Sequence, residues 1–301
     1  MKILVLGKRG QLASTLRNFE KKSNESEFEY IFLGRDEVNF ENLINLEDYF
    51  KKYNPEIVIN AVGYTAVDLA ESHPLEAYKV NAISLKEISI FCKKYNSALI
   101  HISTDYVFDG KKTFPYEESD KTNPINVYGK SKLLGEKLIQ KFTDKYLIFR
   151  VSWVYSGFGK NFLNTIIEKS KTNLELNVVN DQFGGPTSTS QIVKALRHFC
   201  EKISNHEKPW GIYHLSGEPH ISWHKFAEDI ISIASNYNLI EGIPINPISS
   251  NDFKSLAIRP KYSALSNVKI KSVTKNINYD YKDYLEQIII EKAKQGLNND
   301  E

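Results

Sequence analysis

Five short apolar runs mark the first half of the chain: Ile3-Leu4-Val5-Leu6, Tyr30-Ile31-Phe32-Leu33, Ile57-Val58-Ile59-Asn60-Ala61, Ala98-Leu99-Ile100-His101-Ile102 and Leu147-Ile148-Phe149-Arg150-Val151. Runs of this kind suit strands buried on both faces of a parallel sheet, where neither face meets water. Between them apolar residues recur at helical spacing. Examples are Leu12, Leu16 and Phe19, the stretch Leu43 to Tyr53 ahead of Pro55, the stretch Pro74 to Asn96 with Leu85, Ile88 and Cys92 on one side, and 130–142. Strand alternating with helix predicts an α/β fold built on a doubly wound, Rossmann-like parallel sheet. In such sheets ligands bind beyond the carboxyl ends of the strands. The loops at those ends are 7–11, 34–40, 60–65, 103–109 and 152–161. They are polar or glycine-rich and are expected to meet in one cleft.

From about residue 155 the rhythm breaks. Helical stretches over 161–170, 188–203, 222–238 and 281–295 alternate with the short apolar runs Leu176 to Val179 and Gly211 to Leu215. The loops between them contain Pro186, Pro209, Pro219, Pro244 and Pro247. This predicts a dinucleotide-binding domain over 1–155, with later strands contributed from the C-terminal half. A smaller, interleaved substrate-binding lobe is expected over 156–301. The tail Asn298 to Glu301 is expected to fray.

Composition removes several classes of function. The chain has 301 residues, 41% of them hydrophobic, with 17 Tyr, 16 Phe and 3 Trp, so it can bury a sizeable core and is not a disordered protein. Cys92 and Cys200, its only cysteines, rule out a disulfide scaffold and suit a reducing compartment. Net charge is +2 without a long block of either sign, which gives no support to nucleic-acid or membrane-surface binding. The apolar N-terminal run is too short for a signal-peptide core, and no stretch approaches the roughly 20 apolar residues of a membrane span. A cytoplasmic protein is expected.

Two patterns carry candidate chemistry. Gly7-x-x-Gly10-x-x-Ala13 follows the first strand and opens a helix. Glycines there permit a tight turn and close approach of a pyrophosphate, and the helix N-terminus attracts its charge. At the end of the second strand, where an acidic residue favours NAD, Gly34-Arg35 stands instead. A guanidinium suits a 2′-phosphate, so NADPH is the expected cofactor, with NADH possible. Asp36 and Glu37 follow and argue the other way. The second pattern is Tyr128 and Lys132, four apart on a predicted helix and so on one face. An ammonium one turn from a phenol favours the phenolate and lowers its pKa from near 10 toward the working range of a general acid. Upstream, Ser103-Thr104-Asp105 follows the fourth strand and offers a hydroxyl to a substrate carbonyl.

With these motifs in place, the chain resembles the extended short-chain dehydrogenases/reductases, and within them the dTDP-4-dehydrorhamnose reductases. The resemblance covers almost the whole chain. It rests on Gly7 to Leu12, Asn60 to Asp68 (NAVGYTAVD) with Ala70-Glu71, His101 to Phe108 (HISTDYVF), and Pro124 to Lys132 (PINVYGKSK) with Gly135-Glu136-Lys137. It continues through Phe149 to Tyr155 (FRVSWVY), Asn180 to Thr187 (NDQFGGPT), Gly211 to Leu215 (GIYHL) and Arg259-Pro260. It implies that Tyr128 is the proton donor, Lys132 its electrostatic partner and a ribose contact, and Thr104 the hydroxyl that orients the ketone. It implies further that Gly10, Gln11 and Leu12 hold the pyrophosphate, that Asn39 and Phe40 flank the adenine, and that Gly63, Tyr64 and Thr65 line the cofactor groove. Thr104, Asp105, Tyr106 and Trp153 would touch the sugar nucleotide, and Asp181 to Thr187 with Arg259 would shape its nucleotide end. The implied reaction is reduction of the C4 ketone of dTDP-4-dehydro-β-L-rhamnose to dTDP-L-rhamnose with NADPH, in polysaccharide biosynthesis.

One departure stands out. Metal-dependent dimeric members carry magnesium-binding glutamates where this chain has Thr15 and Ser190, and a third loosely matches Gln287. Hydroxyls and amides lack the charge a hard divalent ion needs. No metal is expected, and the protein is expected to be a monomer or a metal-independent dimer. Two other functions fit the same residues: a 4-ketoreductase of another nucleotide-linked deoxy sugar, or a non-catalytic NADP-binding regulatory subunit.

Overall fold

The computed structural model describes residues 1–22, 27–41 and 43–297; the tail Asn298 to Glu301 lies outside the described residues. Six parallel strands form the central sheet: β1 (Lys2–Leu6), β2 (Glu29–Leu33), β3 (Ile57–Asn60), β4 (Ala98–Thr104), β5 (Tyr146–Val151) and β6 (Gly211–Leu215). Their order across the sheet is β6-β5-β4-β3-β1-β2. The sixth strand comes from the C-terminal half of the chain. Strand order reverses between β1 and β3, and a crevice outside the carboxyl ends forms at such a point.

Alternation of side chains along each strand assigns two cores. Ile3 and Val5 of β1 face helices α1 (Gln11–Lys22) and, later in the chain, Thr189–Ser204, through Leu12, Leu16, Ile192, Leu196 and Phe199. Leu4 and Leu6 face the other way, onto α2 (Leu46–Tyr53) and the helices that follow, through Leu46, Phe50, Leu85, Ile88 and Ile139. These side chains are nearly or wholly inaccessible, and each contributes roughly 1.5–3 kcal/mol by leaving water.

One expectation changes. Tyr30–Leu33 is not buried on both faces: β2 is the edge strand, with only Leu33 fully inside. Aromatic stacking covers its open face instead, with Tyr30 on Phe32 at 6.1 Å and the Arg17 guanidinium 4.7 Å above the Phe32 ring. The stretch Pro74 to Asn96 is helical as far as Lys94, as expected, with one turn of it wound as a π-helix. A short helix, α3 (Val67–Ser72), precedes α4 (Pro74–Tyr78); a π turn over Lys79–Ile83 then leads into α5 (Ser84–Lys94). After α6 (Val127–Phe142), helices α7 (Phe162–Ser170), α8 (Thr189–Ser204), α9 (Trp223–Asn236), α10 (Val268–Val273) and α11 (Tyr281–Leu297) complete the chain.

A separate apolar cluster joins α7, α9 and α11 through Leu163, Ile166, Phe226, Ile230, Leu285 and Ile289. Short strand pairs surround it. Val154–Tyr155 lies parallel to Thr187–Ser188, Leu176–Val179 parallel to Ile245–Ile248, and Phe183–Gly184 antiparallel to Ile221–Ser222. No described helix is long and apolar enough to cross a membrane.

Candidate active site

The first feature of the site is the turn after β1. Gly7 adopts φ +104°, and a Cβ there would lie 3.1 Å from the Ala61 carbonyl carbon. Glycine therefore lets the β1 and β3 loops close on one another. Gly7 N–H donates to Leu33 O at 2.9 Å, and α1 begins at Gln11 with its N-terminus toward the cleft. A cavity of about 350 Å³ opens there, bounded by Gly10, Gln11, Leu12, Gly63, Thr65, Tyr128 and Lys132. A second, of about 340 Å³, shares Gly10 and Gly63 with it and extends to Gly7, Arg35 and Phe40. The five strand-end loops thus supply one continuous groove, as the strand pattern predicted.

Phe40 is buried on the groove wall, whereas Asn39 is exposed and its Oδ1 accepts the Glu41 N–H at 2.9 Å. The Gln11 side chain turns away: its Oε1 accepts from Ser156 Oγ at 2.8 Å and Asn161 Nδ2 at 2.9 Å. That leaves the Gln11 backbone as its contribution to the groove. The acidic residues beside Arg35 are already engaged. Asp36 pairs with Arg9 at 2.5 Å, and Glu37 accepts Lys8 Nζ at 2.6 Å and the Gly34 N–H at 2.8 Å. Arg35 is exposed at the groove's edge without an ion pair among the described residues.

Tyr128 sits in the first turn of α6, which starts where the Asn126 side chain accepts the Gly129 N–H at 2.8 Å. Gly129 allows the close approach, since a Cβ would lie 2.1 Å from Tyr106 O. The Thr104 hydroxyl, at the end of β4, donates to Asp105 Oδ1 at 3.0 Å and lies within hydrogen-bond reach of the Tyr128 phenol. Tyr106 packs edge-on against Tyr128, with ring centres 5.8 Å apart. Desolvation pushes the Tyr128 phenol up to about 12, with the charge on Asp105 adding and the Thr104 hydroxyl opposing. This is opposite to the shift expected from the Tyr–Lys spacing. The reason is tertiary: burial strips the phenol of water, and the Lys132 ammonium turns toward β4, where Nζ meets Ile102 O at 2.7 Å and His101 Nε2 at 3.1 Å. Burial lowers Lys132 to about 8, with Glu136 partly offsetting it, and raises Asp105 to about 7.

The residues expected at the far end divide. Arg259 pairs with Asp68, Nη2 to Oδ2 at 2.7 Å, and lines an apolar cavity of about 290 Å³ together with Gln182, Trp223 and Phe253. Trp153 does not line the described cavities. It stacks flat on Trp223 at 3.5 Å from a left-handed backbone (φ 46°), with Gly184 against the indole. Of Asp181 to Thr187, only Gln182 reaches a described cavity, and the Asp181 carboxylate accepts the N–H and Oγ of Ser250.

The model for the family described as RmlD substrate binding domain matches residues 1–294. A dTDP-4-dehydrorhamnose reductase of Aggregatibacter actinomycetemcomitans is 37% identical over 272 residues, 90% of this chain and 92% of the relative. The chain belongs to the dTDP-4-dehydrorhamnose reductase family. Two solved structures of such reductases share its fold at a TM-score of 0.86 each. The Clostridium acetobutylicum enzyme is 35% identical, with 96% of this chain and 98% of that one covered. The Bacillus anthracis enzyme, solved in complex with NADP, is 30% identical, with 96% and 99% covered.

Within this dTDP-4-dehydrorhamnose reductase family member, two buried polar residues support the site and were not singled out from sequence. Asn81, in the π turn, accepts the Tyr64 N–H at 2.8 Å and donates to Tyr64 O and Ser131 Oγ, both at 3.0 Å, tying the groove loop to α6. His101 stands behind Lys132. The available signal was a polar residue interrupting an apolar strand or helix face, since a buried polar group must find partners. Thr15 and Ser190 do come together around a cavity of about 130 Å³, with Gln287 outside it. The Thr15 hydroxyl is held by Gln11 O at 3.0 Å and Thr189 Oγ1 at 2.7 Å. Among the described residues, no group of three or more His, Cys, Asp or Glu could hold a metal ion. These donors do not suit a hard dication.

Proposed function

We propose that this chain reduces the C4 ketone of dTDP-4-dehydro-β-L-rhamnose to dTDP-L-rhamnose. The observation that carries the reading is the meeting of Tyr128 and Lys132 at a groove built on the Gly7–Gln11 turn, with the Thr104 hydroxyl against the Tyr128 phenol. Family membership, and a match over 90% of the chain to a reductase of that name, support it. The glycine and backbone floor of the groove suits a dinucleotide, and the α1 N-terminus suits its pyrophosphate. When bound, NADPH supplies the hydride. Gly10, Gln11 and Leu12 would hold its diphosphate, Phe40 and Asn39 its adenine, and Gly63, Tyr64 and Thr65 its remaining length.

The chain's own residues supply orientation and a proton. The Thr104 hydroxyl holds the ketone oxygen beside the Tyr128 phenol. As negative charge develops on that oxygen, Tyr128 Oη passes its proton to it, while the one Thr104 O–H keeps its hydrogen bond to that oxygen and steadies the charge there. Asp105, Tyr106 and Arg259 would frame the sugar nucleotide. In this reading 1–155 binds the dinucleotide, with β6 added from the later half, and 156–301 mainly holds the substrate. The enzyme would work in the cytoplasm, where free, buried Cys92 and Cys200 suit a reducing milieu. Turnover of NADPH with purified protein across dTDP-, UDP- and GDP-linked 4-keto-6-deoxy sugars, with product stereochemistry by NMR, tests it. No turnover on any of them would leave only an NADP-binding protein.

Cofactor choice should rest partly on Arg35, because Asp36 and Glu37 are neutralised by Arg9 and Lys8. Arg35→Ala is expected to weaken NADPH roughly tenfold while leaving NADH nearly unchanged, since only NADPH offers a phosphate to pair with. Equal losses for both cofactors would remove Arg35 from that role. Activity is expected to survive EDTA in full, and mass by light scattering to stay the same with and without Mg²⁺, whether the protein is a monomer or a metal-independent dimer. Loss of activity in chelator, restored by Mg²⁺ with a doubled mass, would overturn this.

A further inference from the structure

His101 lies in the middle of β4, fully buried, and the hydride and proton transfers do not use it. Its Nε2 is 3.1 Å from Lys132 Nζ, and its Nδ1 is 3.1 Å from the Asn60 amide nitrogen at the end of β3. Asn60 Oδ1 in turn accepts the Val62 N–H at 3.2 Å, in the loop that floors the cofactor groove. Four groups therefore form one chain from α6 to the groove.

Donors and acceptors along it must match. Burial, with Lys132 adding, holds the imidazole pKa well below 6.5, so the ring is neutral and has one N–H and one lone pair. Two settings satisfy the chain. In the first, Asn60 donates to Nδ1, the proton sits on Nε2, and Lys132 accepts from it as a neutral amine. In the second, the Lys132 ammonium donates to Nε2, Nδ1–H donates to Asn60 Oδ1 after the amide turns over, and Val62 N–H gives up its acceptor. Both charge states of Lys132 are accessible, because its pKa is about 8.

We propose that His101 is a positioning residue for Lys132, and that its tautomer ties the charge on Lys132 to the Asn60–Val62 contact at the floor of the groove. The charged and titratable groups around the pair are Tyr128 and Glu136 on α6, with Arg150 of β5 pairing Glu136. β3 contributes only neutral Asn60. That Lys132 acts as electrostatic partner of Tyr128 and ribose contact rests on the reductase reading; the tautomer coupling does not.

Two measurements test it. Wild-type protein labelled with ¹⁵N at histidine and backbone is titrated by NMR, without substrate, through the Lys132 pKa. The His101 ring proton should move from Nδ1 to Nε2 as pH rises, with the Val62 amide shifting in step. A single tautomer throughout overturns the coupling, and needs no variant to fold. In the second, His101→Leu should cut kcat roughly tenfold or more, with KM for the sugar within about twofold. Loss of an acceptor disfavours the ammonium, so the alkaline limb of its pH–rate profile should move to lower pH. His101→Gln, whose amide oxygen can accept, should move the limb back. A folded Leu variant with the wild-type profile, or a folded Gln variant no better than Leu, overturns the positioning role. Failure of the reductase reading looks different: wild type would turn over no keto sugar while the NMR titration stood.

Discussion

Tyr128→Phe is expected to lower turnover by about 10²–10⁴-fold while NADPH binding stays nearly unchanged. The substitution removes one oxygen from a ring packed edge-on against Tyr106, so the aromatic contact and the groove wall persist. What disappears is the proton that the developing alkoxide takes up. The raised pKa of the phenol in the free protein keeps it protonated throughout the neutral range, which is the state a donor needs. Steady-state NADPH consumption gives the rate, and fluorescence titration of NADPH gives the binding. Near-normal turnover in a folded Phe variant would sink the assignment of Tyr128 as the acid.

The second large effect is on stability. Arg150→Met should destabilise the fold by about 3–5 kcal/mol, because it strands a carboxylate in the interior. Glu136 is completely buried and accepts Arg150 Nη2 at 2.7 Å, Arg150 Nε at 3.0 Å and the Ser103 hydroxyl at 2.5 Å. Arg150 in turn lies 5.2 Å over the Phe108 ring and 3.4 Å from His214, whose pKa burial and the guanidinium lower to about 3. The cluster joins β4, β5, β6 and α6 directly behind Thr104 and Lys132. At roughly 2–4 °C per kcal/mol, Tm should fall on the order of 10 °C. The double variant Glu136→Met/Arg150→Met should recover much of the loss, since the stranded charge goes with its partner. A single variant within about 1 kcal/mol of wild type, or a double variant no better than the single one, would contradict this account.

Much of this architecture was legible from local pattern. A strand buried on both faces must be apolar along its whole length, and a helix packed on a sheet must be apolar at helical spacing. Those requirements act residue by residue, so β1, β3, β4, β5 and the helices between them could be placed from sequence. The carboxyl-end loops followed, and with them the groove shared by Gly7, Gly10, Gly63, Tyr128 and Lys132.

What local pattern could not supply depends on neighbours distant in sequence. Tyr30–Leu33 has the composition of a central strand, but strand order made it an edge. In the π turn at Lys79–Ile83, Asn81 finds Tyr64 and Ser131, residues 17 and 50 positions away. The four-residue spacing correctly put Tyr128 and Lys132 on one helix, yet could not say that the Lys132 ammonium would be captured by Ile102 O and His101 across the β4–α6 contact. Trp153 was likewise drawn onto Trp223 by a packing partner 70 positions away. Sequence by itself determined which residue types stand at the ends of which strands, because burial selects side chains locally. Tertiary structure alone decided which polar groups meet and which charges lose water, because hydrogen bonding and desolvation depend on what the whole fold brings within about 3 Å.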